Sequence, residues 1–345
     1  MKIDSIRLRQ FRSYDDYELR FDDHITVITG RNGIGKTNLL EAIYVLFEGS
    51  SFRGVDRELI QYDKSWWRID GTINNEPRQI RYQLEKSPAK QIIINETPKR
   101  FSFTNKLPLV LFEPNDLLFV SGSPSRRRDM VDRMIVTLSH EYKTALSRYE
   151  RVVMQRNNAL KRSYPPQKLR DMLFVWDVSL AHHAEIITNA RADFIKQINA
   201  RLPYYYEQIA GELHDVTLRY VHSLPPHSTN SAIMALLDKT MARDIERRTS
   251  TKGPHRDDFV FVLGGVEAKT SASRGEVRSL ILSLKLAYRD MLAEQFETAP
   301  LLLLDDVFSE LDEVRQNNLL GSTEQNQIII TDTKNIAGFG RVIEL

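Results

Sequence analysis

The stretch Gly30-Arg31-Asn32-Gly33-Ile34-Gly35-Lys36-Thr37 constrains this chain more than any other. It fits the phosphate-loop pattern G-x-x-x-x-G-K-[ST]. Residues 24–29, just before it, are β-branched and alternate apolar with polar, which predicts a strand. Residues 38–47, just after it, carry apolar side chains at helical spacing, which predicts a helix. Glycines let backbone N–H groups curl around an anion without Cβ clashes, and a helix N-terminus adds partial positive charge. The spacing therefore predicts a nucleotide site built from Gly30, Arg31, Asn32, Gly33, Ile34, Gly35, Lys36, Thr37 and Asn38. Lys36 would reach the β- and γ-phosphates, and the Thr37 hydroxyl would bind Mg²⁺.

The bulk charge does not declare a polyanion partner. The 345 residues carry 48 basic and 46 acidic side chains, a net charge of +2. Any DNA-binding surface must then come from clustering. Arg126-Arg127-Arg128 is one such cluster, and Arg243, Arg247, Arg248 and Lys252 form another. Lys and Arg neutralise phosphates without reading bases, but an ordinary solvated helix face has the same composition. The absence of cysteine excludes disulfides and thiolate metal sites and fits a reducing compartment. His255 has no second His or Cys at ligand spacing, so no metal site is expected there. No apolar segment follows Met1, and no run approaches ~18 apolar residues. A cytoplasmic protein is the expectation.

The predicted fold class is α/β: a P-loop head with a mixed central sheet and helices, a small antiparallel β lobe, and an inserted helical arm. Strands are expected at 3–9, 17–21, 24–29, 107–112, 300–304, 327–330 and 341–345. Those at 66–73, 79–85 and 91–95 make the lobe, with Asn74-Asn75 as a turn. A short helical piece is read at 57–62. One long helix is predicted over about 125–162 and a second over about 169–209, joined at Pro165-Pro166 as an αα-hairpin. A strand at 214–222, a helix at 231–248, a hairpin around Gly264-Gly265 and a helix over 276–296 follow. Length allows about two domains. The division expected is 1–122 for the head with P-loop and lobe, 123–248 for the arm, and 249–345 for the rest of the head.

Two further anchors carry chemistry. Leu301-Leu302-Leu303-Leu304 runs into Asp305-Asp306. Ligands of open α/β sheets bind beyond the carboxyl ends of the strands. Asp305 can thus hold Mg²⁺ beside the P-loop, and Asp306 can polarise the attacking water. Solvated acids after a buried strand are the bland alternative. Ser273-Arg274-Gly275-Glu276 opens the helix 276–296 and makes a second anion site, or a simple N-cap. One nucleotide does not need two such sites from one chain. Two copies facing each other would use both.

These anchors, in this order, resemble ABC-type ATPase heads of the SMC and Rad50 class. The strings at 11–14, 33–42, 113–117, 122–128, 253–258, 273–276 and 305–312 look like the RecF family of bacterial recombination mediators, over nearly the whole chain. The string Gly253-Pro254-His255-Arg256-Asp257-Asp258 is the most particular to that family. The resemblance implies a slow ATPase using ATP and Mg²⁺, an ATP-dependent homodimer, and single- and double-stranded DNA as ligand. It also implies help in loading recombinase at gaps, with RecR and RecO as partners. It makes Lys36 and Asp306 catalytic, Thr37 and Asp305 metal residues, and Arg12 a nucleotide contact. Ser273, Arg274, Gly275 and Glu276 would meet the partner's nucleotide, and 309–312 would couple the two sites. Two positions depart from the usual patterns. Asn115 stands where the family usually has Glu, and Asp306 replaces the longer Glu of most ABC proteins, as is normal for RecF-like chains. Other readings stay open at this stage: another SMC-type DNA-organising or defence ATPase, a P-loop small-molecule kinase, or an ABC transport subunit.

Overall fold

Four consecutive leucines offer water no polar side, and the strand they form, Leu301–Asp305, is buried along its whole length. It lies in a five-stranded sheet ordered Arg341–Glu344, Ile25–Thr29, Ile328–Asp332, Leu301–Asp305, Leu109–Phe112. Every neighbouring pair is parallel. The central sheet, expected to be mixed, is thus parallel among the described residues. Both faces of a parallel sheet are covered, which is why Leu109–Phe112 carries only apolar side chains. The computed structural model describes residues 1–22, 24–84, 89–162, 164–308, 311–333 and 340–345.

A second sheet is antiparallel and six-stranded, ordered Tyr14–Arg20, Ile3–Phe11, Trp66–Ile73, Glu76–Gln83, Ala89–Ile94, Thr97–Lys99. It exceeds the expected lobe because the N-terminal hairpin joins it, with Leu8 opposite Ile69 and Ile6 opposite Gly71. One face is buried, and burial alternates along Trp66–Ile73 as the pleat requires. The helix Lys36–Glu48 is buried nearly all round. Its Leu39, Leu40, Ile43 and Leu46 share one apolar core with Ile6, Leu8 and Ile69 of the antiparallel sheet and Leu301 and Leu303 of the parallel one. A Cβ on Gly71 would lie 2.3 Å from Leu46 Cδ2, so a side chain there would have to displace the Leu46 methyl group that packs on this strand. Gln327, 3% exposed, ties the two sheets together. Its amide accepts from Ile3 N–H at 2.7 Å and donates to the carbonyls of Ile3 and Asp22 at 2.9 and 2.7 Å.

These elements belong to the first of two compact units, Met1–Asp116 with Gln208–Gly211 and Ile281–Leu345. The second comprises Leu117–Glu207 and Glu212–Leu280. The stretch 249–280, assigned by sequence to the head, therefore belongs with the second unit. Its strand Asp258–Leu263 pairs along its full length with Val216–Val221 in a three-stranded antiparallel sheet, so this unit is not purely helical. The single helix expected over 125–162 is two, Pro124–Leu138 and His140–Leu160. Ser139 ends the first and caps the second, its hydroxyl accepting from Tyr142 N–H at 3.1 Å. The long helix Pro166–Ala210 follows.

Candidate active site

The glycine loop joins the strand Ile25–Thr29 to the helix Lys36–Glu48 as predicted. Gly30, Gly33 and Gly35 all have positive φ, at 152°, 82° and 125°. At Gly35 a Cβ would also lie 2.9 Å from Ser13 Oγ and from Tyr14 Oη, so the position excludes any other residue. The Tyr14 hydroxyl donates to the Gly35 carbonyl at 3.1 Å, which clasps the loop to the N-terminal hairpin. Gly35 brings no side chain to the first-turn N–H groups of the helix. Those donors and the helix dipole point to an anion. Arg31, Asn32 and Ile34 lie exposed on the loop, while Lys36 is buried. Its ammonium donates to the carbonyls of Gly30 and Arg31 at 2.8 and 3.3 Å.

Thr37 and Asp305 come together. The Thr37 hydroxyl donates to Asp305 Oδ1 at 3.0 Å. Register explains how: Asp305 pairs with Thr331, and Thr331 with Ile28 of the P-loop strand, so three strands end at one level. Thr331 also donates to Asp305 Oδ1, at 2.8 Å, and accepts from the Asp306 N–H at 3.0 Å. Burial raises the proton affinity of Asp305, while the two hydroxyls, Arg53 and Lys36 pull the other way. A hydroxyl and a carboxylate converging beside a phosphate loop fit a hard cation with oxygen ligands. Asp306 follows with φ 50°, a left-handed turn that takes the chain out of the sheet. The sequence reading missed Thr331. The signal available was a hydroxyl residue ending the apolar run Ile328-Ile329-Ile330.

Arg12 does not stand alone. Its Nε and Nη2 each donate to Glu41 at 2.9 Å. Arg53 Nη2 donates to the same carboxylate at 2.6 Å and to Asn38 Oδ1 at 2.8 Å. Asn38, predicted as a nucleotide contact, also donates to Ser13 Oγ at 3.0 Å. Burial alone would raise the Glu41 proton affinity, but the donors around it outweigh that and hold it low. Neither Glu41 nor Arg53 was singled out in the sequence.

Ser273 to Glu276 and the arginines expected to meet DNA lie in the second unit. Ser273 and Glu276 form a capping box: Ser273 Oγ accepts from Glu276 N–H at 3.3 Å, and the Glu276 carboxylate accepts from Ser273 N–H at 2.6 Å. Ser273 and Arg274 are exposed, and Gly275 is half-buried. Among the arginines, Arg126, Arg243, Arg247 and Arg248 are exposed. Arg127 is not: it is 6% exposed and donates twice to Asp258, at 2.6 and 2.8 Å. Arg128 is half-buried and donates to the Asp257 carbonyl at 2.8 Å. Of the three arginines expected at 126–128, Arg126 is the exposed one, while Arg127 and Arg128 bond to the string 253–258.

That string is a hydrogen-bonded knot around the buried Gly253, Pro254 and Asp257. Arg191 joins Asp132 at 2.9 Å to Asp257 at 3.0 Å, and Tyr220 and Ser223 also donate to Asp257. His255 Nδ1 lies 2.6 Å from the Tyr149 hydroxyl and its Nε2 3.1 Å from the Ser250 carbonyl. Asn115 is exposed in a short 3₁₀ turn of the first unit, while its neighbour Asp116 is buried 3.0 Å from Lys285 Nζ. Ser309 and Glu310, part of the coupling loop expected at 309–312, lie outside the described residues.

Comparison with known proteins agrees with this geometry. The profile of the RecF/RecN/SMC N terminal domain matches residues 2–337. The DNA replication and repair protein RecF of Agathobacter rectalis is 35% identical over 339 residues, covering 96% of this chain and 92% of that protein. A structure of the recombination mediator protein RecF-ATPrS in the RecFOR pathway superposes with a TM-score of 0.88 at 26% identity, covering 100% of this chain and 96% of that one. A RecF-ATP structure from the same pathway gives 0.84 at 27% identity, covering 97% and 92%. With a third of its residues shared along almost its whole length, on the same fold, the chain belongs to the RecF family.

Proposed function

We propose that this chain is an ATP-dependent DNA-binding protein of recombinational repair, hydrolysing ATP slowly and pairing with a second copy when ATP is bound. The observation that carries the reading is the 3.0 Å approach of Thr37 Oγ1 to Asp305 Oδ1 at the mouth of a glycine loop. RecF-ATP structures support it from the side of its relatives. Gly30 to Asn38 bind the triphosphate through backbone N–H groups. Lys36 exchanges its loop carbonyls for phosphate oxygens. Thr37 and Asp305 would hold Mg²⁺, which would supply positive charge to the bound triphosphate. Asp306 accepts a proton from, or orients, the attacking water. Ser273 to Glu276 of a second copy close over the γ-phosphate, and DNA meets exposed arginines such as Arg126, Arg247 and Arg248. RecR and RecO are the proposed protein partners.

The test is binding of a gapped duplex by the full chain with ATP, with ADP and with neither, alongside Mg²⁺-dependent phosphate release. ATP should tighten DNA binding relative to ADP by about 5–150-fold, the usual size of such coupling. Equal affinity in all three states, or phosphate passed to a small-molecule acceptor by a monomer, would overturn the reading.

A further inference from the structure

We infer that Glu41 is a positioning residue of the phosphate site: it gathers Arg12 and Arg53 onto one buried carboxylate and so keeps the Arg53 guanidinium away from the metal-binding oxygens of Asp305. The inference rests on the ATP and Mg²⁺ reading above.

Glu41 sits one helical turn beyond Thr37, and its side chain is fully buried. A carboxylate has about four lone-pair sites. Here four donors address it. Oε1 accepts from Arg12 Nη2 at 2.9 Å and Ser51 Oγ at 2.5 Å; Oε2 accepts from Arg12 Nε at 2.9 Å and Arg53 Nη2 at 2.6 Å. Ser51 Oγ in turn accepts from the N–H groups of Arg53 and Gly54, at 2.9 and 3.0 Å, so the loop carrying Arg53 is pinned to the same carboxylate. Arg12 is bound through two nitrogens in the bidentate geometry that fixes a guanidinium. Arg53 commits one nitrogen, which it shares with Asn38. Arg53 is therefore the more weakly held of the two cations. The Asn38 that it also meets is next in the chain to Thr37, whose hydroxyl donates to Asp305 at 3.0 Å, so Arg53 is held at the edge of the metal-binding pair. A guanidinium and a divalent cation compete for the same carboxylate oxygens. If Glu41 loses its charge, Arg53 keeps only neutral partners, Asn38 and the Phe52 ring among them, and Asp305 becomes the carboxylate that draws it.

The probe is Mn²⁺, titrated into the ADP complex of the full chain and followed by the EPR signal of the free ion. Glu41→Gln should weaken Mn²⁺ binding about tenfold, the scale on which a nearby guanidinium shifts a carboxylate's affinity for a proton. Adding Arg53→Gln to Glu41→Gln removes the competitor and should bring Mn²⁺ affinity back to within about twofold of wild type, a coupling that a double-mutant cycle measures. A purely structural Glu41 predicts the opposite, a loss that Arg53→Gln does not repair. Should Glu41→Gln not fold, Glu41→Asp with and without Arg53→Gln carries the same comparison with the charge retained and the reach shortened. Unchanged Mn²⁺ affinity in the Glu41 variant, or a double variant as weak as the single one, overturns the inference alone. Wild-type protein that holds neither ADP nor Mn²⁺ overturns the ATP reading and this inference with it.

Discussion

Thr37 and Asp305 are 268 positions apart in the chain, and the hydroxyl of one donates to the carboxylate of the other at 3.0 Å. The pairing follows from strand order. The strand ending in Asp305 pairs with Ile328–Asp332, which pairs with the P-loop strand, and all three run the same way. Their carboxyl ends make one edge, and the glycine loop curls over it.

If both residues hold one Mg²⁺, Asp305→Ala should reduce Mg²⁺-dependent hydrolysis by more than the ~10–100-fold that loss of an outer-sphere partner costs. Thr331→Val should fall within that outer-sphere range, because Thr331 touches Asp305 rather than the phosphates. Steady-state phosphate release against Mg²⁺ concentration distinguishes them. Normal turnover in Asp305→Ala would remove the assignment.

The P-loop was legible because its chemistry demands glycine at fixed places. The acidic pair was legible because four leucines in a row leave little but a buried strand. What the sequence hid is how side chains share partners. Arg127 reads as one of three basic residues, yet it lies four, seven and eight positions before the buried Val131, Met134 and Ile135, on the inward face of its helix. That spacing was visible and was outweighed by the local charge run. Glu41 lies in a helix buried on nearly every side, so it had to be buried and paired; only the fold reveals that Arg12 and Arg53 do the pairing. The break at Ser139 was invisible because Met130, Met134, Leu138 and Tyr142 keep a spacing of four straight across it.

DNA binding separates the arginines. Replacing exposed Arg126, Arg247 or Arg248 by Gln should lower the slope of log affinity against log salt by about 0.9 for each DNA phosphate no longer neutralised. Arg127→Gln should leave that slope alone. It should instead destabilise the second unit by about 1–3 kcal/mol, since it removes the two charge-assisted hydrogen bonds to the part-buried Asp258. Anisotropy titrations at several salt concentrations read the first effect, and urea unfolding reads the second. An unchanged slope for the exposed arginines would return them to the solvated surface.

His255 gives the knot at 253–258 a pH dependence. Burial, with Arg256, Arg128 and Arg156 nearby, pushes its pKa down to about 4, against a smaller opposing effect of the Ser250 carbonyl. The folded pKa is therefore below the unfolded value of about 6.5. Between the two, the unfolded chain binds more protons, so stability rises with pH. The contribution is complete above about pH 6.5 and is lost as pH falls through about 4, at most about 3 kcal/mol in all. Urea unfolding from pH 4 to 7 should show that decline, and His255→Gln should flatten it. A wild-type curve no steeper than the variant's would count against a buried neutral imidazole.

Ser273 separates two roles that coincide at one helix start. Within its own chain it closes a capping box with Glu276, through bonds of 3.3 and 2.6 Å. In the proposed dimer it also meets the γ-phosphate held by the other copy's Gly30 to Thr37. Loss of a Ser cap costs typically ~1 kcal/mol, and Asn caps as well as Ser, so Ser273→Asn should keep the helix while changing what faces the phosphate. Ser273→Arg should leave nucleotide bound by the monomer yet block ATP-dependent dimerisation, because a bulky cation would occupy the phosphate position. Mixing Ser273→Arg with Lys36→Met protein gives the control. In the mixed dimer one site carries both defects and the other neither, so some ATPase activity should return although each variant alone is inactive. Sedimentation in which Ser273→Arg dimerises with ATP as the wild type does would sink the shared-site arrangement and leave Ser273 a helix cap alone.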